Sequence, residues 1–351
     1  MNFTSDNTAG VSEPIFAAIK AANAGASPAY GEDPFSVKAS ERLSAVFETE
    51  VAVYLVATGT AANALALGAL CPPWGAIFCH KGSHIMEDEC GAPEMFTAGA
   101  KLVGIPGRAG KMAPADLATA FAAFPRGSVK QVQPSALSLS QATECGTLYT
   151  RAELEELARL AHEAGVSVHM DGARFANALV SLNCTPAQMS WKAGVDVLSL
   201  GATKNGALAC EAVVVFDSGK AQSLPFQRKR SGHTMSKGRF LGAQMIAYLD
   251  GNHWLENAST ANARAIRLAQ GLAQAPGVRL PWPRQINEVF AVLPRKTHAA
   301  LRAAGVHYYD WTSRDFGEDP LAEDEVFARL VTSFATPEAD VERFISLVSA
   351  A

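Results

Sequence analysis

The chain has 351 residues, too many for one small core, so a larger and a smaller domain are expected. It is 48% apolar and 18% charged with a formal net charge of −4, a balance that lacks the concentrated basic patches of nucleic-acid binders. The six cysteines show neither CxxC spacing nor a dense framework and read as reduced thiols without a metal. The start is not signal-like and no apolar run approaches the roughly 20 residues of a membrane span, so a soluble, cytoplasmic protein is expected.

In chain order, the segment 14–45 reads as helical but interrupted by the polar, aromatic stretch 28–34. From 51 to 217 short β-rich runs alternate with helical ones. Strands are predicted at 51–57, 75–80, 101–105, 129–133, 136–140, 166–170, 195–200 and 211–216, several apolar nearly throughout. The clearest helix is 151–164, where Thr150 and Glu153 form a capping box, Leu154, Leu157, Ala158 and Ala161 make one stripe, and Gly165 is the stop. Such alternation predicts an α/β layered domain with a mostly parallel sheet. Beyond 245 a long helix (258–274), strands at 288–293, 306–311 and 326–334, and a terminal helix from 337 to about 349 suggest a smaller α+β domain. The expected division is 1–245, with a helical segment over about 1–50, and 246–351.

Chemistry concentrates at strand ends. Thr58-Gly59-Thr60-Ala61 turns a strand into a helix, which suits either a phosphate cup or an ordinary threonine N-cap. Asp171 ends the run 166–170, with Arg174 three residues on, and open α/β sheets bind ligands at that edge. Lys204 lies in the glycine-flanked turn Gly201-Ala202-Thr203-Lys204-Asn205-Gly206 after another apolar run, a setting for a buried, nucleophilic amine. A lysine and an aspartate so placed are what pyridoxal phosphate needs: an amine for its Schiff base and a carboxylate for its ring nitrogen. Arg174 then suits a phenolate oxygen or a substrate carboxylate, and Thr203 the phosphate. His84, after the strand at 75–80, suits stacking on the ring and proton transfer, or a plain surface site beside Glu87, Asp88 and Glu89. The other histidines weighed, His80, His162, His169, His253, His298 and His307, read as core or surface residues.

These motifs resemble the low-specificity L-threonine aldolases among the fold-type I pyridoxal-phosphate enzymes. The likeness rests on Ser5-Asp6-Asn7, Tyr30-Gly31-Glu32-Asp33-Pro34, Thr58-Gly59-Thr60-Ala61-Ala62-Asn63 and Ser83-His84-Ile85 with Asp88-Glu89-Cys90-Gly91-Ala92. It continues in Gln141-Ala142-Thr143-Glu144, His169-Met170-Asp171-Gly172-Ala173-Arg174 and the lysine turn, and spans essentially the whole chain. The resemblance implies that Lys204 carries the cofactor, Asp171 meets its ring nitrogen, His84 stacks, and Gly59, Thr60 and Thr203 hold phosphate. It implies a carboxylate grip by Ser5, Arg174 and Arg329, and a homotetramer of dimers in which Arg228-Lys229-Arg230 reach a neighbour's phosphate. Some members carry a second histidine where this chain has Glu144, which leaves Glu144 to handle the proton or the hydroxyl, or to be a loop acid. The expected reaction is reversible cleavage of L-threonine or L-allo-threonine to glycine and acetaldehyde, with His84 the first candidate base and Glu144 the second. Rival expectations are an aldolase preferring phenylserine, an aminotransferase or β-eliminating lyase on the same scaffold, and a binding protein without turnover.

Overall fold

Seven strands form the main sheet of the computed structural model, which describes residues 1–311 and 320–351. They are β1 (Ala52–Val56), β2 (Gly75–His80), β3 (Lys101–Ile105), β4 (Gln133–Ser140), β5 (Ser167–Gly172), β6 (Val197–Gly201) and β7 (Glu211–Val215), in the order β1-β7-β6-β5-β4-β2-β3. β3, β2, β4, β5 and β6 pair in parallel, each with the next, and β7 alone runs against its neighbours β1 and β6. β2, β6 and β7 are buried at every position, as two-sided helical cover demands. The mixed, mostly parallel α/β sheet is therefore as the sequence predicted.

The largest apolar core lies around this sheet, where Leu154, Leu157, Ala158 and Ala161 of the helix Arg151–Glu163 are buried with Leu137, Val168 and Leu198. The capping box at Thr150 is formed, with the Glu153 carboxylate accepting from the Thr150 N–H at 2.7 Å. A second, antiparallel sheet joins β8 (Glu288–Pro294), β9 (Tyr309–Asp310) and β10 (Glu325–Val331) in the order β8-β10-β9. It packs on the helices His253–Leu272 and Glu338–Ala350, and Phe3 enters the same core. No helix among the described residues is long and apolar enough to cross a membrane.

Four expectations about elements need correction. Residues 129–133 do not make a strand of their own: Val129 is 100% exposed in a turn, and β4 begins at Gln133. The strand then runs unbroken to Ser140, because a register shift between Ala76 and Ile77 accommodates the Pro134-Ser135 step. The stretch 306–311 contributes only Tyr309–Asp310 to a ladder. The long helix starts at His253, ahead of the predicted 258, and a helix at Arg295–Ala303 was not foreseen because it buries only Thr297 and Leu301.

Candidate active site

The ends of β1, β2, β4, β5 and β6 lie at one edge of the sheet, and every residue singled out there meets one of two adjoining cavities. The inner one, of 280 Å3, is lined by Thr58, Gly59, Thr60, Asn63, His84, Asp171, Thr203, Lys204 and Glu211 among others. The outer one, of 200 Å3, shares Gly59, Thr60, Asn63, His84, Asp171 and Lys204 and adds Ser5, Glu144, Arg174, Glu288, Trp311 and Arg329.

At the inner end, Thr58 caps the helix Gly59–Leu70 by accepting the Ala61 N–H at 3.2 Å. The first turn leaves the Gly59 and Thr60 N–H groups without intrahelical acceptors, at the positive end of the helix dipole. Such a helix start suits an anion. Lys204 lies in the short 3-10 turn Thr203–Asn205, is partly buried, and opens on both cavities. The turn is anchored by Asn205, whose amide donates to Tyr248 Oη at 3.0 Å and to the Trp254 carbonyl at 2.8 Å. Gly206 follows at φ +117°, where a Cβ would sit 2.8 Å from Asn257 Nδ2.

Asp171 lies one residue before the end of β5 with both oxygens engaged: Oδ1 accepts the Ala173 N–H at 2.9 Å and Oδ2 the Asn63 amide at 2.8 Å. Burial alone would raise its pKa, but Lys204, His84 and the Ala173 N–H more than offset this and hold the carboxylate ionised. The same Asn63 nitrogen donates to Glu89 Oε1 at 2.8 Å, and that oxygen also pairs with His84 Nδ1 at 2.8 Å. With Glu89 ionised, the ring nitrogen facing Oε1 is the donor, which assigns a proton to Nδ1, so that in the neutral ring Nε2 carries the lone pair. The hydrogen bond to Glu89 raises the His84 pKa most, against a lowering by burial.

Glu144 approaches from the loop after β4. Its Oε1 accepts the His84 N–H at 2.9 Å and the Ser140 hydroxyl at 3.2 Å, while Oε2 is buried without a partner among the described residues. Burial first, and the nearby Asp171 charge second, push this acid up to about 7.

The outer end is a charge cluster. Arg174 donates through Nε to Asp6 Oδ2 at 2.8 Å and through Nη2 to Asp6 Oδ1 at 3.0 Å, and it faces Glu288 at 3.4 Å. Asp6 is buried, yet Arg174 and Lys204 outweigh that burial and keep its pKa below the usual carboxylate value. Arg329 stacks over Trp311 at 4.2 Å and donates to the Thr4 carbonyl at 3.3 Å. It is thus a wall of the cavity rather than a surface residue at a strand end. Ser5 Oγ accepts the Asn7 N–H at 3.1 Å, so its own proton is free to donate.

All ten predicted residues (Ser5, Gly59, Thr60, His84, Glu144, Asp171, Arg174, Thr203, Lys204 and Arg329) line these cavities. Sequence reasoning gave no role to Asp6, Asn63, Glu89, Glu211, Glu288 or Trp311. The available signal was position: Glu211 and Glu288 each head an apolar strand, where a lone acid is out of place.

Sheet order and edge together define the class: an α/β chain of fold type I, the architecture of a large group of pyridoxal-phosphate enzymes. The chain belongs to the beta-eliminating lyase family, whose profile matches residues 2–295. It is 41% identical over 307 residues to a low specificity L-threonine aldolase of Pseudomonas aeruginosa, covering 88% of each chain. A second such aldolase, from a Pseudomonas species, is 39% identical over the same length. A solved threonine aldolase of Leishmania major superposes with a TM-score of 0.92 at 30% identity, covering 99% of this chain and 98% of that one. A serine palmitoyltransferase of Sphingomonas wittichii, at 14% identity and a TM-score of 0.74, shares the fold.

Proposed function

We propose that this chain is a pyridoxal-phosphate-dependent aldolase. It cleaves L-threonine and L-allo-threonine, and other β-hydroxy-α-amino acids, reversibly to glycine and an aldehyde. One observation carries the reading: the amine of Lys204, the ionised carboxylate of Asp171 and the arginines Arg174 and Arg329 line adjoining cavities. The threonine aldolases of similar sequence support the choice of substrate. Full-length protein with added cofactor should release acetaldehyde from threonine, measured with a coupled dehydrogenase. Release of no aldehyde from any β-hydroxy amino acid in either configuration sinks the proposal.

The residues suit the cofactor. The Gly59 and Thr60 N–H groups would take its phosphate, with the Thr203 hydroxyl beside them; Asp171 would face its ring nitrogen, His84 would cover the ring, and Lys204 would bond its aldehyde. Bound there, pyridoxal phosphate supplies a carbonyl for amines and an electron-withdrawing ring that accepts the pair from a breaking bond at Cα.

The chain's own groups set which bond breaks. Ser5, Arg174 and Arg329 would hold the substrate carboxylate, which fixes rotation about Cα and presents the Cα–Cβ bond for cleavage. Arg174 can do so while paired with Asp6, because a guanidinium has five donors and Asp6 uses only two. As that bond breaks, the β-hydroxyl must lose its proton to become the aldehyde oxygen. His84 Nε2 is the first acceptor, its lone pair fixed there by Glu89. Glu144 is the second, since an acid near 7 populates both of its forms at neutral pH.

The same reading includes a homotetramer of dimers. Arg228 lines a separate cavity with Tyr30, Ser40 and Met235, and Lys229 lies over the Tyr30 ring at 4.6 Å. Light scattering after size exclusion tests it, a monomer being the contrary result.

A further inference from the structure

The inner cavity holds an acid that the proposed reaction does not use. Glu211 opens β7, paired with Val56 of β1 on one side and Gly201 of β6 on the other. Because β7 runs against both neighbours, its first residue lies at their carboxyl ends, between the Thr58–Thr60 turn and the lysine turn. Its side chain is buried and lines the cavity with Gly59, Thr60 and Thr203. Oε2 accepts the Ala202 N–H at 2.8 Å, and the Thr203 hydroxyl stands close enough to the same carboxyl to lower its pKa. Thr203 Oγ1 in turn accepts the Cys210 N–H at 3.1 Å.

A hydroxyl has one proton to give and two lone pairs. Cys210 takes one lone pair of Thr203. If Glu211 is ionised it can only accept, so the Thr203 proton must point to it and the hydroxyl offers nothing to the cavity. If Glu211 carries a proton, it donates to the remaining lone pair, and the Thr203 proton turns free. An anion in this cup is also repelled by a carboxylate and not by a carboxylic acid.

We propose that Glu211 is a proton-carrying positioning residue: it holds a proton when the cup holds a phosphate group, and so directs the Thr203 hydroxyl to that anion. Cofactor uptake then draws a proton onto the protein. This rests on assigning the cup to the cofactor's phosphate. Burial pushes Glu211 up to about 7, against hydrogen bonds from Thr203 and Ala202 and the charge of Lys204. The other groups facing it are Cys210 beside it and Tyr248 from the helix Arg239–Leu249, both raised by burial and neutral, with Asn7, His84 and Asp171 on the remaining walls. The neutral acid predominates below its pKa, so affinity for the phosphate falls as pH rises through it.

The test is calorimetric titration of the full chain, stripped of cofactor, with pyridoxal phosphate between pH 6 and 9. Buffers of different ionisation heat report protons taken up. At pH 8 the wild type should take up close to one proton more than Glu211→Gln. Relative to that variant it should lose about tenfold in affinity per pH unit above the pKa of Glu211. Equal proton uptake and parallel affinity curves overturn the proposal. Failure of both proteins to bind pyridoxal phosphate at any pH overturns the cofactor reading instead. Should Glu211→Gln not fold, wild-type uptake with pyridoxal phosphate and with phosphate-free pyridoxal is compared at pH 8, and equal uptake counts against the proposal.

Discussion

The two ends of the site are built differently. The inner end is made where strands of the main sheet finish: Asp171 is the penultimate residue of β5, and Thr58–Thr60 and Lys204 lie in the turns just after β1 and β6. The outer end is made of pairings across the chain, with Asp6 bonded to Arg174 at a separation of 168 residues and Arg329 arriving on β10 from the second sheet. Binding an anion and a ring needs only what the fold already presents at one edge. Gripping a small amino acid needs charges converging from segments whose proximity only tertiary packing decides.

Removing the amine separates the two ends most sharply. Lys204→Ala should lower kcat by roughly 10⁴-fold or more, the scale of losing a covalent nucleophile. It should also abolish the visible absorption of the lysine-bound cofactor while leaving the outer charge cluster intact. Retained turnover would remove Lys204 from the mechanism.

At the outer end the effect should fall on stability as well. Asp6→Ala leaves Arg174 facing only Glu288, and breaking a buried ion pair costs about 3 kcal/mol. The Asp6 pKa is depressed in the folded state, so its contribution is present above the unfolded value of 3.8 and is lost as pH falls through the folded value. The gap between wild type and variant in denaturant midpoint should therefore close in acid. KM for threonine should rise about tenfold with a misoriented Arg174. A gap that persists at all acidic pH values, or an unchanged KM, would mean that Asp6 does not orient the grip.

How much of this was legible follows the same division. Lys204, Asp171 and Gly59 could be read because strand, turn and residue type occur together in a few consecutive positions. Asn63 and Glu89 lay inside quoted motifs, yet their meaning depends on one amide bridging two acids from different elements, which spacing does not encode. Glu288 and Trp311 acquire meaning only when the second sheet packs beside the first. The fold was legible wherever burial was uniform, and misread at 306–311, where only two residues join the ladder.

Glu89 sharpens the comparison from the middle of the site. Glu89→Gln offers His84 Nδ1 an amide that can donate, which favours the tautomer with its proton on Nε2. The kcat should fall roughly 10²-fold with little change in KM or cofactor affinity. The bond to Glu89 raises the His84 pKa, so without it the acidic limb of the remaining activity should move to lower pH. An unmoved limb would assign the proton transfer elsewhere, with Glu144→Gln the next variant to profile.

The smallest effect belongs to the misread strand. Residues 129–133 combine valines with a preceding glycine, yet the Gln133 side chain closes the turn by accepting the Gly127 N–H at 2.8 Å and donating to the Ser128 and Gln131 carbonyls. Val129 then points to solvent, while Val132 packs partly against the main core. Val129→Lys should change stability by no more than about 0.5 kcal/mol, whereas Val132→Lys must bury or expel a charge and should cost more. Were the Val129 variant to destabilise by as much as the Val132 one, the turn would have to give way to the strand that β propensity suggests.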